Sequence, residues 1–157
     1  MKIEYLKNLV EYHNLHPTEP LKINLLEKEI RFSLPVAFKE FLYLTGADYD
    51  MLLRGGGGMP QNIDTLSTIH FIANSILKDC STSIDNFFPF VEYIDQFLFF
   101  YINDGDDPPI YRFETELYYC GDAYITDSSN WGLPKGILKV AESFSEMINR
   151  AINVSDL

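Results

Sequence analysis

Cysteine is almost absent. Cys80 and Cys120 are the only two, and no C-x-x-C pair exists. That excludes a zinc ribbon or a thioredoxin-type motif. The pair reads as reduced thiols of a cytoplasmic protein, each a small buried hydrophobe by default, with a single disulfide as the alternative. Long apolar runs are missing as well. The longest, Phe97 to Ile102, is strand-sized and far short of the roughly 20 residues a membrane span needs. Met1-Lys2-Ile3-Glu4-Tyr5 has charge but lacks the apolar stretch of a signal peptide behind it. Basic residues are scarce too: 12 Lys and Arg face 23 Asp and Glu, giving a net charge of −11. Phosphate contacts need Lys or Arg, so nucleic acid and anionic membrane are disfavoured as partners. A basic partner is favoured, either a cationic protein surface or a metal ion held by converging carboxylates.

The acidity is local. From Asp79 to Asp127 there are eleven acids and one base, Arg112, which leaves twelve acids and eleven bases for the rest of the chain. Like charges this dense repel one another and oppose folding, so they are easier to understand if they serve a contact. The other reading is a solvated surface that keeps a small protein soluble.

A length of 157 residues, 46% hydrophobic and 15% aromatic, fits one domain with a sizeable aromatic core. Ile3, Leu6, Leu9, Val10 and His13 recur at helical spacing, which predicts a first helix over 2–13, ended by Pro17 and Pro20. Asn24 and Glu27 resemble a capping box ahead of a short second helix. Leu34-Pro35 opens a third, since proline suits the first turn. Ala37, Phe38, Phe41, Leu42 and Thr45 share its inner face, and Gly46 stands where a left-handed cap is expected. Gly55 to Gly58 make a flexible loop. A fourth helix is predicted over 67–79, with Ile69, Ile72, Ala73, Ile76 and Leu77 as its stripe and His70 outside it.

The period then changes. Phe88 to Val91, Phe97 to Ile102, Ile110 to Phe113 and Leu117 to Cys120 read as consecutive antiparallel strands. Asn103 to Pro109 connects two of them as an exposed acidic turn. Ser143 and Glu146 form a second capping box ahead of a terminal helix carrying Phe144, Met147, Ile148, Ala151 and Ile152. This order of elements is α+β: an antiparallel sheet flanked by N-terminal helices and a C-terminal helix.

No catalytic set stands out. Counted from Asp104 as an EF-hand loop, positions 5, 6 and 12 are Pro108, Pro109 and Thr115, where oxygen ligands and a glycine are required. His13 and His16 lack further ligands at a fixed offset. The glycine run lacks the Gly-Lys-Ser/Thr ending of a phosphate loop, and no Gly-x-Ser-x-Gly elbow exists. Trp131, the only tryptophan, reads as an anchor of the core or the sheet edge, or as a partner contact. No catalytic residue, metal or cofactor is expected.

Leu34-Pro35-Val36-Ala37-Phe38-Lys39-Glu40-Phe41-Leu42-Tyr43-Leu44-Thr45-Gly46-Ala47 resembles the signature helix of the SUKH superfamily, in which a Leu-Pro step opens a helix that ends in a small, Gly-containing turn. Here the turn is Thr45-Gly46-Ala47, where the family often has Asn-Gly-Gly. The central Phe88–Tyr101 region, followed by Pro109-Ile110-Tyr111, is similar to the family's sheet. Ser143-Phe144-Ser145-Glu146-Met147-Ile148 is similar to its closing helix. The resemblance implies a single α+β domain without catalytic residues. Many bacterial members act as immunity proteins that bind and neutralise a cognate polymorphic toxin, often a nuclease; others are related to a yeast cell-wall-assembly regulator that works through protein contacts.

The resemblance and the charge agree, because a nuclease needs a basic cleft that an acidic protein can occupy. The expectation is a cytoplasmic immunity protein, a monomer or weak dimer, that inhibits a basic toxin by stoichiometric binding. Asp104, Asp106, Asp107, Glu114 and Glu116 are the expected contacts, with Glu92 and Asp95 behind them. The rivals are a scaffold that binds an endogenous basic protein and a metal-dependent enzyme built on the same carboxylates.

Overall fold

A computed structural model describes residues 2–11, 17–46, 63–120 and 132–155. Four strands form one antiparallel sheet in chain order: β1 (Phe87–Tyr93), β2 (Gln96–Tyr101), β3 (Ile110–Glu114) and β4 (Ile137–Ala141). Side chains alternate across a strand. Phe88, Phe90, Leu98, Phe100 and Ile110 therefore join one cluster, and Phe87, Phe97, Phe99, Phe113 and Ile137 the other. Both faces are covered, which is why β1 and β2 read as continuous aromatic runs. Pro89 cannot donate to a ladder. It sits in the edge strand β1, where the register with β2 shifts between Pro89 and Val91.

Helices α1 (Pro20–Ile30), α2 (Val36–Thr45) and α5 (Phe144–Ser155) pack into the first cluster. Helix α3 (Leu66–Asp79) covers the second face through Ala73 and Leu77, with Cys80 beyond its end. It begins one residue before the span of 67–79 that the spacing predicts and ends where predicted. In α2 the predicted inner face is the buried one: Ala37, Phe38, Phe41, Leu42 and Thr45 are all inside. The Phe38 ring meets five others, of Phe41, Phe88, Phe90, Phe100 and Phe144, at centroid separations of 5.3 to 6.4 Å. Gly46 closes the helix at φ +67°, its N–H donating to the Leu42 carbonyl at 2.8 Å. A left-handed turn of this kind favours glycine because it has no Cβ.

Three expectations are corrected. The helix predicted over 2–13 is only a 3₁₀ turn, Lys7–Glu11. The backbone donors of Glu4, Tyr5 and Leu6 go to the side chain of Glu40, at 2.6, 2.9 and 2.9 Å, instead of to helical carbonyls. The second helix starts at Pro20, which opens it in place of ending the first, so Asn24 is interior and caps nothing. Glu27 reaches forward and accepts the Leu34 N–H at 2.8 Å and the Ser33 hydroxyl at 3.2 Å.

Leu117 to Cys120, predicted as a strand, lies in a short helix, α4 (Thr115–Cys120). Thr115 breaks the ladder: its N–H and hydroxyl both donate to the Asp95 carbonyl, at 3.1 and 2.8 Å. The fourth strand is Ile137–Ala141 instead. The terminal helix begins as predicted. Ser143 accepts the Glu146 N–H at 3.1 Å, and the Glu146 carboxylate accepts the Glu142 N–H at 2.8 Å. The reciprocal bond of the box thus falls one residue earlier than in the usual pattern.

Candidate functional site

The seven carboxylates singled out in the sequence do not form one patch. Strand β2 runs between the turn that holds Asp95 and the connection that holds Asp104. Its six residues rise roughly 3.3 Å each, which sets the two groups on the order of 20 Å apart. Glu92, Asp95, Glu114 and Glu116 gather at one end of the sheet. Asp104, Asp106 and Asp107 gather at the other.

At the first end, Asp95 occupies the β1–β2 turn at φ +58°, a left-handed conformation that aspartate tolerates better than most residues. Thr115 grips its carbonyl, and Gln96 pairs with Glu114 in the ladder. The two bonds tie the β1–β2 turn to the end of β3. Glu92 is half-buried, and its carboxyl is held above the usual range, first by loss of solvent and then by repulsion from Asp95. Glu114 forms an ion pair with Arg112 at 3.0 Å. Glu116 is exposed in α4. Ile94 projects from the same turn, 84% exposed.

At the second end the three aspartates have different roles. Asp104 is exposed overall, yet partial loss of solvent at its carboxyl raises it above the ordinary value. It lies close enough to Tyr101 and Tyr111 to help hold both phenols protonated, after their own burial. The two rings meet edge to face at 5.1 Å. Asp106 is exposed, and its backbone carbonyl accepts the Ala37 N–H of α2 at 2.9 Å. Asp107 departs from the exposed-turn expectation. It is half-buried, and its carboxylate accepts the Ser145 N–H at 2.8 Å and the Ser145 hydroxyl at 2.5 Å. It caps α5, so its charge is already matched to the positive end of that helix. Tyr5 stands beside this connection: burial raises its phenol first, followed by the charges of Asp106, Asp107, Glu4 and Glu40.

Both ends therefore present carboxylates on hydrogen-bonded backbone, and at each end one of them, Glu92 or Asp104, carries its charge at a cost. A docked cation would relieve that cost, so the arrangement is suited to meeting Lys or Arg. Among the described residues, no group of three or more His, Cys, Asp and Glu is placed to hold a metal ion. No described helix is long and apolar enough to cross a membrane. Both cysteines are free: Cys80 is buried as expected, whereas Cys120 is exposed because it ends α4 and not a strand of the sheet. His70 is exposed but stacks on Phe87. His13, His16, Gly55 to Gly58, Asp122, Asp127 and Trp131 lie outside the described residues.

Sequence reasoning missed the internal use of Asp107 and of Glu40. Asp107 bonds across 38 residues, a relation that local spacing cannot reveal. Glu40 did leave a signal, since it falls among inward-facing positions of α2 where a charge needs partners.

No curated protein matches the chain at a significant level. Residues 17–150 match the SMI1 / KNR4 family (SUKH-1), a span that takes in α1 to α4, all four strands and most of α5. With the match extending over most of the sequence, the chain belongs to the SMI1 / KNR4 family (SUKH-1).

Proposed function

We propose that the chain is a bacterial immunity protein that binds a cognate basic toxin, of nuclease type, and neutralises it by stoichiometric contact in the cytoplasm. The observation that carries the reading is the placement of exposed carboxylates at both ends of one antiparallel sheet, within a family whose role implies a protein partner. Asp104 and Asp106 at one end, and Glu92, Asp95, Glu114 and Glu116 at the other, are the contacts. Asp107 serves the fold and positions the connection that presents its neighbours. The protein acts as a binding partner and contributes no chemistry of its own, as a monomer or weak dimer.

A toxin that acts on nucleic acid needs a cationic surface to hold phosphate. An acidic protein steers toward that surface and associates roughly 10 to 1,000 times faster at low salt than a neutral one. Speed matters here, because the producing cell must capture the toxin before it cuts.

The test is to co-express the chain with the product of the neighbouring open reading frame and measure survival together with complex stoichiometry. Protection with a one-to-one complex that weakens as salt rises is the expected result. A neighbour that is not toxic, or a toxic one that the chain neither binds nor restrains, would remove the reading.

A further inference from the structure

A trough lies between α1 and α3, beside the start of the edge strand β1. Leu26 and Ile30 of α1, Phe32 beyond it, Leu66 of α3 and Phe88 of β1 give it apolar walls around a space of about 360 Å³. A second space of about 290 Å³ adjoins it, sharing Leu26, Glu29 and Ser67 and reaching Lys22 and Asp64. The two together follow α1 from Lys22 to Phe32, roughly 15 Å at 1.5 Å per residue. That length holds about four residues of extended chain.

The lining has a definite chemistry. His70 stacks on Phe87 at 5.7 Å and 19°, and Phe32 meets Phe88 edge-on at 5.5 Å and 73°. Phe87 and Phe88 are themselves buried, so an aromatic guest would meet chiefly the exposed His70 ring and the half-buried Phe32 ring. Lys22 and Asp64 neutralise each other at the far end, at 3.2 Å. Glu29 lines both spaces, is exposed, and has no ion-pair partner among the described residues. Burial lowers the His70 pKa, which disfavours a positive charge on the ring. The trough is thus apolar and aromatic, with one carboxylate midway that has no ion-pair partner among the described residues.

We propose that the trough is a docking site for a partner-protein segment in which an aromatic side chain is followed by Lys or Arg. The ring enters between α1 and α3, and the cation meets Glu29. None of the carboxylates proposed as toxin contacts lines this trough, and the contact does not depend on the partner being a toxin.

The experiment is an NMR titration of the methyl-labelled full chain with the blocked dipeptide acetyl-Trp-Lys-amide, with acetyl-Trp-Glu-amide as the control. Saturable shifts of the Leu26, Ile30 and Leu66 methyls and of the His70 ring are expected, with a dissociation constant on the order of 1 mM. The Glu peptide should bind several-fold more weakly. Glu29→Gln, an exposed change, should abolish the difference between the peptides, and Ser67→Trp, which fills the trough, should abolish binding of both. Equal affinity for the two peptides would overturn the proposal. So would the absence of saturable shifts, or shifts centred on Asp95 or Asp104 instead.

Discussion

The carboxylate of Glu40, fully buried in α2, accepts the backbone N–H of Leu6 at 2.9 Å, across 34 residues of sequence. The same carboxylate takes the N–H groups of Tyr5 and Glu4, so one side chain receives three consecutive backbone donors. The N-terminal segment is thereby fixed against α2, and Leu6 and Leu9 enter the core. Glu40→Gln keeps one acceptor oxygen but loses the charge and part of this network. A loss of about 2–3 kcal/mol in urea melts is expected, with faster amide exchange at Leu6. A loss near zero would mean that the segment is held by its apolar contacts alone.

Phe41→Ala should cost about 3–5 kcal/mol, because the ring is fully buried against Phe38 and Phe144 and its removal leaves a cavity. Denaturant unfolding measures this. A change under about 1 kcal/mol would show that the core collapses around the gap.

These two residues also mark what the sequence made legible. The face of α2 could be read because its apolar spacing, its opening proline and its closing glycine all agree. The bounds of α3 and the start of α5 were readable for the same reason. The N-terminal turn was not, because Glu40, far away in sequence, competes for the donors that a helix would use. Leu117 to Cys120 misled because Leu, Tyr, Tyr and Cys suit a strand, whereas Thr115 bonds back to Asp95 and ends the ladder first. Strand β4 went unread because Ile137–Ala141 has only five residues and a single charged one to mark its pattern. Of the candidate site, the identity of the acids was readable and their division between two ends was not, since that depends on which strand lies between them.

The aspartates of the β2–β3 connection should separate by stability. Asp107→Ala removes the cap of α5 and should cost about 1–2 kcal/mol, whereas Asp104→Asn should stabilise the fold at neutral pH. The sign follows from the raised Asp104 pKa. Its contribution is fully present below the unfolded value of about 3.9 and is lost as pH rises through the folded one, so neutralising it helps only above that range. Melting temperatures at pH 7 and near pH 3 check both substitutions. If Asp107→Ala melts with the wild type, Ser143 alone caps the helix.

Glu146 has the opposite sign. The Glu142 N–H, with help from Arg150, holds its carboxyl below the usual range. Its contribution is therefore present above the unfolded value of about 4.3 and fades as pH falls through the folded one. Glu146→Gln should lower the melting temperature at pH 7, and the gap from wild type should close on acidification. A gap that stays constant with pH would assign the effect to lost hydrogen bonding without linked protonation.

The two acidic ends make separable claims about partner capture. Asp104→Asn with Asp106→Asn neutralises one end and spares Asp107, so α5 keeps its cap. Glu92→Gln with Asp95→Asn neutralises part of the other and spares the Arg112–Glu114 pair. Asp95, Asp104 and Asp106 are exposed and half-buried Glu92 carries its charge at a cost, so both variants should remain folded by circular dichroism. Stopped-flow association with the basic partner should then slow for the end that meets it, and the salt dependence should flatten, because screening acts over about 8 Å at physiological ionic strength. With the ends on the order of 20 Å apart, a partner that contacts one end would leave the other variant close to wild type. Slowing in both variants would require a partner that spans the sheet. If neither variant slows, with the salt slope unchanged, the acids serve solubility and the partner docks elsewhere on the surface.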